Sequence, residues 1–315
     1  MKRRTFLRNT TLGGLALALP SLENINGDLA LRKTIPRRKL GRFSDKLSII
    51  GFGGVMLNTN TQEFANESIA KAFDSGINYY DVAPSYGNAI ERMGPALQPY
   101  RKKCFLACKT MKRNKDESEK ELNKSLQTLK TDYFDLYQMH ALTTVEEVEK
   151  CFASDGAIKT FQQAKKEGKI RHIGFSAHTE DAALRAMELF DFDTVLFPLN
   201  FVCWISGSLG PKVYEKAKQQ KMGIFGMKSM VLTSLKKDEA RVYPGCWYRP
   251  VMDDKTLELA LRFTLSLDIT AATSPGVVEL LWKAIDFSKR FTPLNDNERE
   301  TLTALARVTE PMFKT

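Results

Sequence analysis

From Thr34 onward the chain alternates, eight times over, between a short apolar run and a segment with helical spacing. The runs are SIIGFGG, NYYDVA, CFLACK, DLYQMH, IRHIGFS, TVLFPLN, GIFGMKS and ITAATS. Most are apolar or β-branched and end at turn residues, the pattern of parallel strands buried on both faces. Between them, segments such as EFANESIAKAFDSG, DESEKELNKSLQTLKTD, GPKVYEKAKQQK, DKTLELALRFTLSL and VVELLWKAIDFSK carry apolar residues three and four apart. Parallel strands need a crossover between them, so eight strand–helix units in series predict an α/β fold of the (β/α)8 barrel type. A doubly wound sheet is the competitor. It calls for fewer strands and a G-x-G-x-x-G turn after the first, where this chain reads GFGGVML from Gly51.

Four irregularities are expected on this frame. A hairpin, RRKLGRF and KLSII turning at Ser44–Asp45, precedes the barrel, and a helix over NERETLTALARVTE follows it. The fourth crossover divides into VEEVEKCF and AIKTFQQAKKEGK near Asp155–Gly156. The segment from Val231 to Asp254 is too long for an ordinary strand-to-helix connection, and it leaves the carboxyl end of strand seven, the face where such barrels keep their sites.

The amino terminus reads as an address. Residues 2 to 8, Lys-Arg-Arg-Thr-Phe-Leu-Arg, resemble a twin-arginine export signal, and the apolar run that follows, Leu12 to Leu19, is too short to span a bilayer. Residues 1–30 are therefore assigned to a leader and 31–315 to a single barrel domain. This implies the twin-arginine translocation machinery as a partner, a periplasmic location and no stable transmembrane span. The net charge of +10 falls to +6 without Lys2, Arg3, Arg4 and Arg8, and the remaining basic residues are dispersed with no nucleic-acid motif. Five cysteines, an odd number at irregular spacing, exclude a disulfide framework, and Cys104 and Cys108 read as small buried hydrophobes.

Four polar residues stand at or just after successive strands. They are Asp81 and Tyr86 in NYYDVAPSYG, Lys109 in CFLACKT and His140 in FDLYQMH. An acid, a phenol, an ammonium and an imidazole at one mouth make a proton-donating device. Lys109 is expected to lower the Tyr86 pKa from about 10 by stabilising the tyrosinate. Asp81 is expected to hold Lys109 charged and oriented, and His140 to donate to a substrate oxygen. Taken singly, each residue is unremarkable: a turn acid, a packing tyrosine, a solvent-facing lysine. Their joint placement at strand ends carries the reading. With three histidines and no closely spaced pair, no metal site is expected.

These segments, with RKLGRFSDKLSIIGFGG, GKIRHIGFS and FTPL, resemble the aldo-keto reductase family over about Pro36 to Arg307. The resemblance implies a barrel that binds NADPH or NADH at its carboxyl-terminal mouth and reduces an aldehyde, ketone or sugar-like carbonyl. Asp81, Tyr86, Lys109 and His140 match the family's catalytic tetrad. Gly54, Val55 and Met56 fall in the loop near the nicotinamide, Ser176 matches a serine on the carboxamide, and Asn200 keeps part of a further carboxamide pattern. Lys228 matches a lysine seen near the cofactor in one branch. Ser274 and the backbone around Gly276 are expected to meet a phosphate at a helix start, although the arginine usual there is absent. Trp247, Tyr248, Trp204 and Phe201 are candidates for the substrate wall, as is His178. His172 is read as an interior or bottom-face residue.

Two other functions compete with the reductase: a cofactor-binding barrel acting as a redox sensor or binding subunit with little turnover, and a metal-dependent hydrolase. The altered carboxamide and phosphate positions motivate the first. The scarcity of histidine disfavours the second.

Overall fold

The computed structural model describes residues 34–315. The basic leader, its export motif and the boundary drawn near residue 30 lie outside the described residues. The described residues open with an antiparallel hairpin, β1 (Arg37–Lys39) and β2 (Lys46–Ser48). There follow β3 (Ile50–Gly53), α1 (Gln62–Asp74), β4 (Tyr79–Asp81), α2 (Ala89–Leu97), β5 (Phe105–Thr110) and α3 (Lys115–Thr128). Then come β6 (Phe134–Leu142), α4 (Val145–Phe152), α5 (Ile158–Lys166), β7 (Ile170–Ala177), α6 (Glu180–Leu189), β8 (Thr194–Pro198), α7 (Phe201–Ile205) and α8 (Pro211–Gln219). The last elements are β9 (Gly223–Met227), β10 (Val231–Ser234), β11 (Tyr248–Pro250), α9 (Asp254–Ser266), β12 (Ala271–Thr273), α10 (Val278–Lys289) and α11 (Asp296–Arg307). Strands β3 to β9 and β12 pair in parallel and close into an eight-stranded barrel, β12 lying beside β3. Each barrel strand coincides with one of the eight apolar runs.

The barrel interior is filled, as a side-chain period of two requires. Tyr79, Phe105, Ala107, Leu136, Leu196, Phe225 and Ala271 form one buried cluster, and Leu40 and Leu47 of the hairpin join it as a plug. Gly41 lets the plug seat: at a φ of 51°, a Cβ there would stand 2.4 Å from the backbone N of Gly223. The helices cover the outer faces of the strands in a second apolar cluster. His172 sits at this lower end, its ring 4.4 Å from that of Phe43, with Nε2 3.3 Å from Asp45. All five cysteines are buried thiols.

Four elements, α2, α7, β10 and β11, lie where no helix or strand was expected. Helix α2 contains Gly94 and Pro95, two residue types that disfavour a helix interior. The glycine is needed for packing, since a Cβ there would meet Thr128 O at 2.4 Å. Proline then ends the helix within two residues. The short α7 is nucleated by a cap, the side chain of Asn200 accepting from the N–H groups of Val202 and Cys203. The long segment after strand seven folds back as the β10–β11 hairpin. The fourth crossover is split, with Asp155 and Gly156 between α4 and α5, where Lys115 N donates to Asp155 O at 2.7 Å. Among the described residues no helix is long and apolar enough to cross a membrane.

Candidate active site

Strands β4, β5 and β6 are neighbours, and their register places Asp81 beside Ala107 and Lys109 beside Gln138. Because alternate residues share a face, Tyr79 and Asp81 on β4, Ala107 and Lys109 on β5, and Leu136 and Gln138 on β6 all turn toward the barrel axis. Asp81 is 3% exposed and Lys109 0%. One carboxylate oxygen of Asp81 takes the ammonium of Lys109. The other accepts from the Tyr79 phenol and from the Gln138 amide, each at 3.2 Å. A buried carboxylate held on both oxygens is a rigid anchor, and the ammonium it holds keeps N–H groups for a second partner.

That partner is Tyr86, whose phenol oxygen lies 3.4 Å from Lys109 Nζ. Tyr86 stands on two successive turns after β4. Its N–H donates to Ala83 O at 3.1 Å, and the N–H of Ala89 donates to Tyr86 O at 3.2 Å. Pro84 sets the first turn, and Gly87 takes the φ of 58° that the second requires. His140 comes from β6, whose register shifts between Met139 and Leu142 as Ala141 adopts a φ of 55°. The Ala141 N–H is held by Ser176 Oγ at 2.8 Å, and the His140 carbonyl by Arg113 at 2.8 Å. This irregularity presents the imidazole toward the phenol, Nε2 lying 3.5 Å from the Tyr86 oxygen and Nδ1 3.2 Å from Ser85 Oγ.

The charges are set by burial. Desolvation pushes the Tyr86 phenol above its ordinary value, outweighing the opposing pull of Lys109. The expected lowering is therefore corrected: Lys109 does favour the tyrosinate, but removal from water dominates, and the phenol stays protonated at neutral pH. Burial works against the Lys109 ammonium too, but Asp81 and Tyr86 more than compensate, and its pKa is raised. His140 is driven down to about 2 by burial, then by Lys109, His178 and Arg113, so its imidazole is neutral.

Above these groups opens a cleft. Of the residues singled out in the sequence, Asp81, Tyr86, Val55, Lys228, Trp247, Tyr248, Ser274 and Gly276 line it. Lys228 lies with Nζ 4.2 Å from the Trp247 ring centre and 4.4 Å from that of Tyr248. Burial lowers its pKa to about 8. Among the described residues no carboxylate comes within 4 Å of it. A groove continues from the cleft past Val55, Met56 and Gly276 to the first turn of α10, with Arg241 and Glu279 on its walls.

Several expected residues serve elsewhere. Asn200 is saturated: its amide donates to Lys228 O at 3.0 Å and Val231 O at 2.6 Å and its oxygen caps α7, so nothing remains for a carboxamide. Ser176, 1% exposed, holds the Ala141 N–H instead. Gly54 is buried under the strand ends, where a Cβ would meet Asp81 O at 2.8 Å. Trp204 is not part of the cleft wall; it packs edge-on against Tyr214 and Phe263, with ring centres 5.7 and 6.2 Å away. Phe201 is in the core. His178 packs against Phe313 at 5.5 Å, and burial together with Lys228 lowers its imidazole to about 4.

Tyr79, Gln138, Ser85 and Arg241 were missed. For Tyr79 and Gln138 a signal existed: each stands two residues before a site residue on the same strand, hence on the same face. Arg241 arrives from the β10–β11 excursion, and no local spacing foretells that.

The sequence model of the aldo/keto reductase family matches residues 49–275. The uncharacterized oxidoreductase YqkF of Bacillus subtilis (strain 168) is 36% identical over 155 residues, 45% of this chain and 48% of that protein. The aldo-keto reductase yakc of Schizosaccharomyces pombe, whose name carries NADP(+), is 31% identical over 182 residues, 51% of each chain. The chain spans about half the length of the curated relatives it matches. The holo form of the aldo-keto reductase AKR11C1 from Bacillus halodurans superposes with a TM-score of 0.69 at 23% identity, covering 86% of this chain and 96% of that one, a likeness of fold. With the family match spanning most of the barrel, the chain belongs to the aldo/keto reductase family.

Proposed function

We propose that this protein reduces the carbonyl group of a small aldehyde, ketone or sugar-like substrate with NADPH or NADH, Tyr86 giving the proton. The observation that carries the reading is the Tyr86 oxygen held between Lys109 and His140 beneath an open cleft. A protonated phenol beside a fixed ammonium is a loaded acid whose conjugate base is stabilised as it forms. Lys109 meets the negative charge that develops on the phenol oxygen, and Asp81 keeps the ammonium in place.

The cleft suits a phosphate-bearing dinucleotide. Lys228 is a partly buried cation without a carboxylate partner among the described residues, and α10 begins in the adjoining groove without a side-chain cap on its first N–H groups. Lys228, the backbone near Ser274 and Gly276, and Arg241 would hold the phosphates, with Val55 against the ring system. When bound there, a reduced nicotinamide supplies the hydride. The engagement of Asn200 and Ser176 elsewhere is all that favours the sensor alternative, and the assembled Asp81, Lys109, Tyr86 and His140 speak against it.

The test is Tyr86→Phe, followed as NAD(P)H consumption against a panel of carbonyl compounds with and without chelator. The rate is expected to fall by about 10² or more, consistent with loss of a general acid, and to ignore chelator. An undiminished rate ends the assignment. The motif at Lys2–Arg8 supports export by the twin-arginine route to the periplasm. Residues 1–30 fused to a folded reporter should be exported only by cells that possess that route.

A further inference from the structure

The imidazole of His140 is neutral and so carries a single N–H, which its two nitrogens cannot share. Which nitrogen holds it decides what the site can do. If Nε2 carries the hydrogen, His140 donates toward the Tyr86 oxygen or a substrate oxygen beside it. The Tyr86 oxygen then accepts from Lys109 and His140, and its own hydrogen is left to point into the cleft. If Nδ1 carries it, the bare Nε2 faces the phenol and draws in the hydrogen that the substrate needs.

Nδ1 has one hydrogen-bond partner among the described residues, Ser85 Oγ at 3.2 Å, and that hydroxyl has no other side-chain or backbone partner there. Ser85 follows Pro84 in the turn closed by the Tyr86 N–H on Ala83 O. The loop that fixes the phenol therefore fixes the hydroxyl as well. Ser85 and Tyr86 meet the two nitrogens of one ring, as a clamp whose jaws are adjacent residues. The Ser85 side of the clamp is exposed and fills no packing space, so its placement is explained by the ring it touches.

We infer that Ser85 is a positioning residue: its hydroxyl donates to Nδ1 of His140, keeps the hydrogen on Nε2 and orients the ring toward Tyr86. This rests on the reading of Tyr86 as proton donor. Carboxylate, ammonium and phenol prepare the proton on one side of the oxygen. Ser85 and His140 keep it from being trapped on the other.

The experiment is ¹⁵N NMR of the imidazole nitrogens in the full-length protein, with His140 assigned by substitution of the other two histidines. The parent is expected to show Nε2 protonated. Ser85→Ala is expected to lower the share of that tautomer, and to reduce kcat for carbonyl reduction about tenfold, the size of one neutral hydrogen bond, while Kd for NAD(P)H stays within about twofold. Ser85→Thr keeps a donor hydroxyl and should recover most of both losses, which loss of fold alone would not produce. An Ala variant with the parent's imidazole spectrum, a parent with Nδ1 protonated, or a Thr variant as impaired as Ala overturns the inference. The spectrum is read without turnover. An active Tyr86→Phe variant therefore removes the proposed chemistry, while an unaltered spectrum in Ser85→Ala removes only the role of Ser85.

Discussion

Lys109 and Gln138 stand directly opposite one another on β5 and β6, and both reach the same carboxylate, that of Asp81. A lysine with no exposure is tolerated in the barrel because that carboxylate is anchored from three sides. Lys109→Met leaves Asp81 buried without its counter-charge, at an expected cost of about 3–5 kcal/mol in stability. The double variant Lys109→Met, Asp81→Asn removes both charges and should regain most of that loss while remaining inactive. Urea unfolding and turnover, measured on the same samples, check the two halves. A double variant no more stable than Lys109→Met would show that the cost lies in packing rather than in the uncompensated charge.

The raised phenol has a signed consequence for pH. Reduction needs Tyr86 protonated, and its pKa lies above the ordinary tyrosine value of about 10. At saturating NAD(P)H, kcat/KM for the carbonyl substrate should therefore hold level through neutral pH and fall only on the alkaline side of about pH 10. Alcohol oxidation needs the tyrosinate and should climb as pH rises toward that value. No inflection should appear near the ordinary histidine value of about 6.5, because His140 is neutral down to about 2. A loss of reduction between pH 6 and 8 would contradict both assignments.

Lys228 predicts a different profile. Its pKa of about 8 means that charge, and with it attraction for a phosphate, is full on the acid side of that value and lost as pH rises through it. A bound anion raises this pKa, so binding should take up a proton near pH 8. Fluorescence titration of NAD(P)H should give a Kd that rises above about pH 8 in the parent. Lys228→Met should bind roughly tenfold or more weakly, the scale of a charge-assisted hydrogen bond, with the pH dependence gone. A variant that retains the parent's slope would place the titrating group elsewhere.

The barrel was legible because buried parallel strands leave the same mark each time, a short apolar run between turn residues. Asp81, Tyr86, Lys109 and His140 were legible as residues that a buried strand end does not carry without a reason. Residues whose role depends on local hydrogen bonding were not. Asn200 has the chemistry to bind a carboxamide, yet its amide is consumed by α7 and by two backbone carbonyls beyond β9. Trp204 looked like a wall residue because aromatic character shows in a sequence and helix orientation does not. The direction of the Tyr86 shift was misjudged for a related reason: a neighbouring charge can be read from spacing, but the depth of burial that opposes it cannot.

Asn200 gives the last prediction, since its contacts tie a structural residue to the cleft. It joins the start of α7 to the backbone of Lys228, whose φ of 67° is an unusual conformation for a residue with a side chain. The Asn200 bond to the Lys228 carbonyl, with that to Val231, holds this turn and so keeps the ammonium between Trp247 and Tyr248. Asn200→Ala removes the cap and both carbonyl bonds at once, and a loss of about 1–3 kcal/mol in stability is expected from the buried groups left unpaired. If the role ended there, binding and turnover of the folded fraction would be unaltered. Because the turn carries Lys228, Kd for NAD(P)H should instead rise several-fold while kcat at saturating cofactor changes little, Asp81 and Lys109 lying on β4 and β5 and Tyr86 on the turns after β4. Equal losses in kcat and in affinity would mean that the disturbance spreads through the barrel rather than through the Lys228 turn.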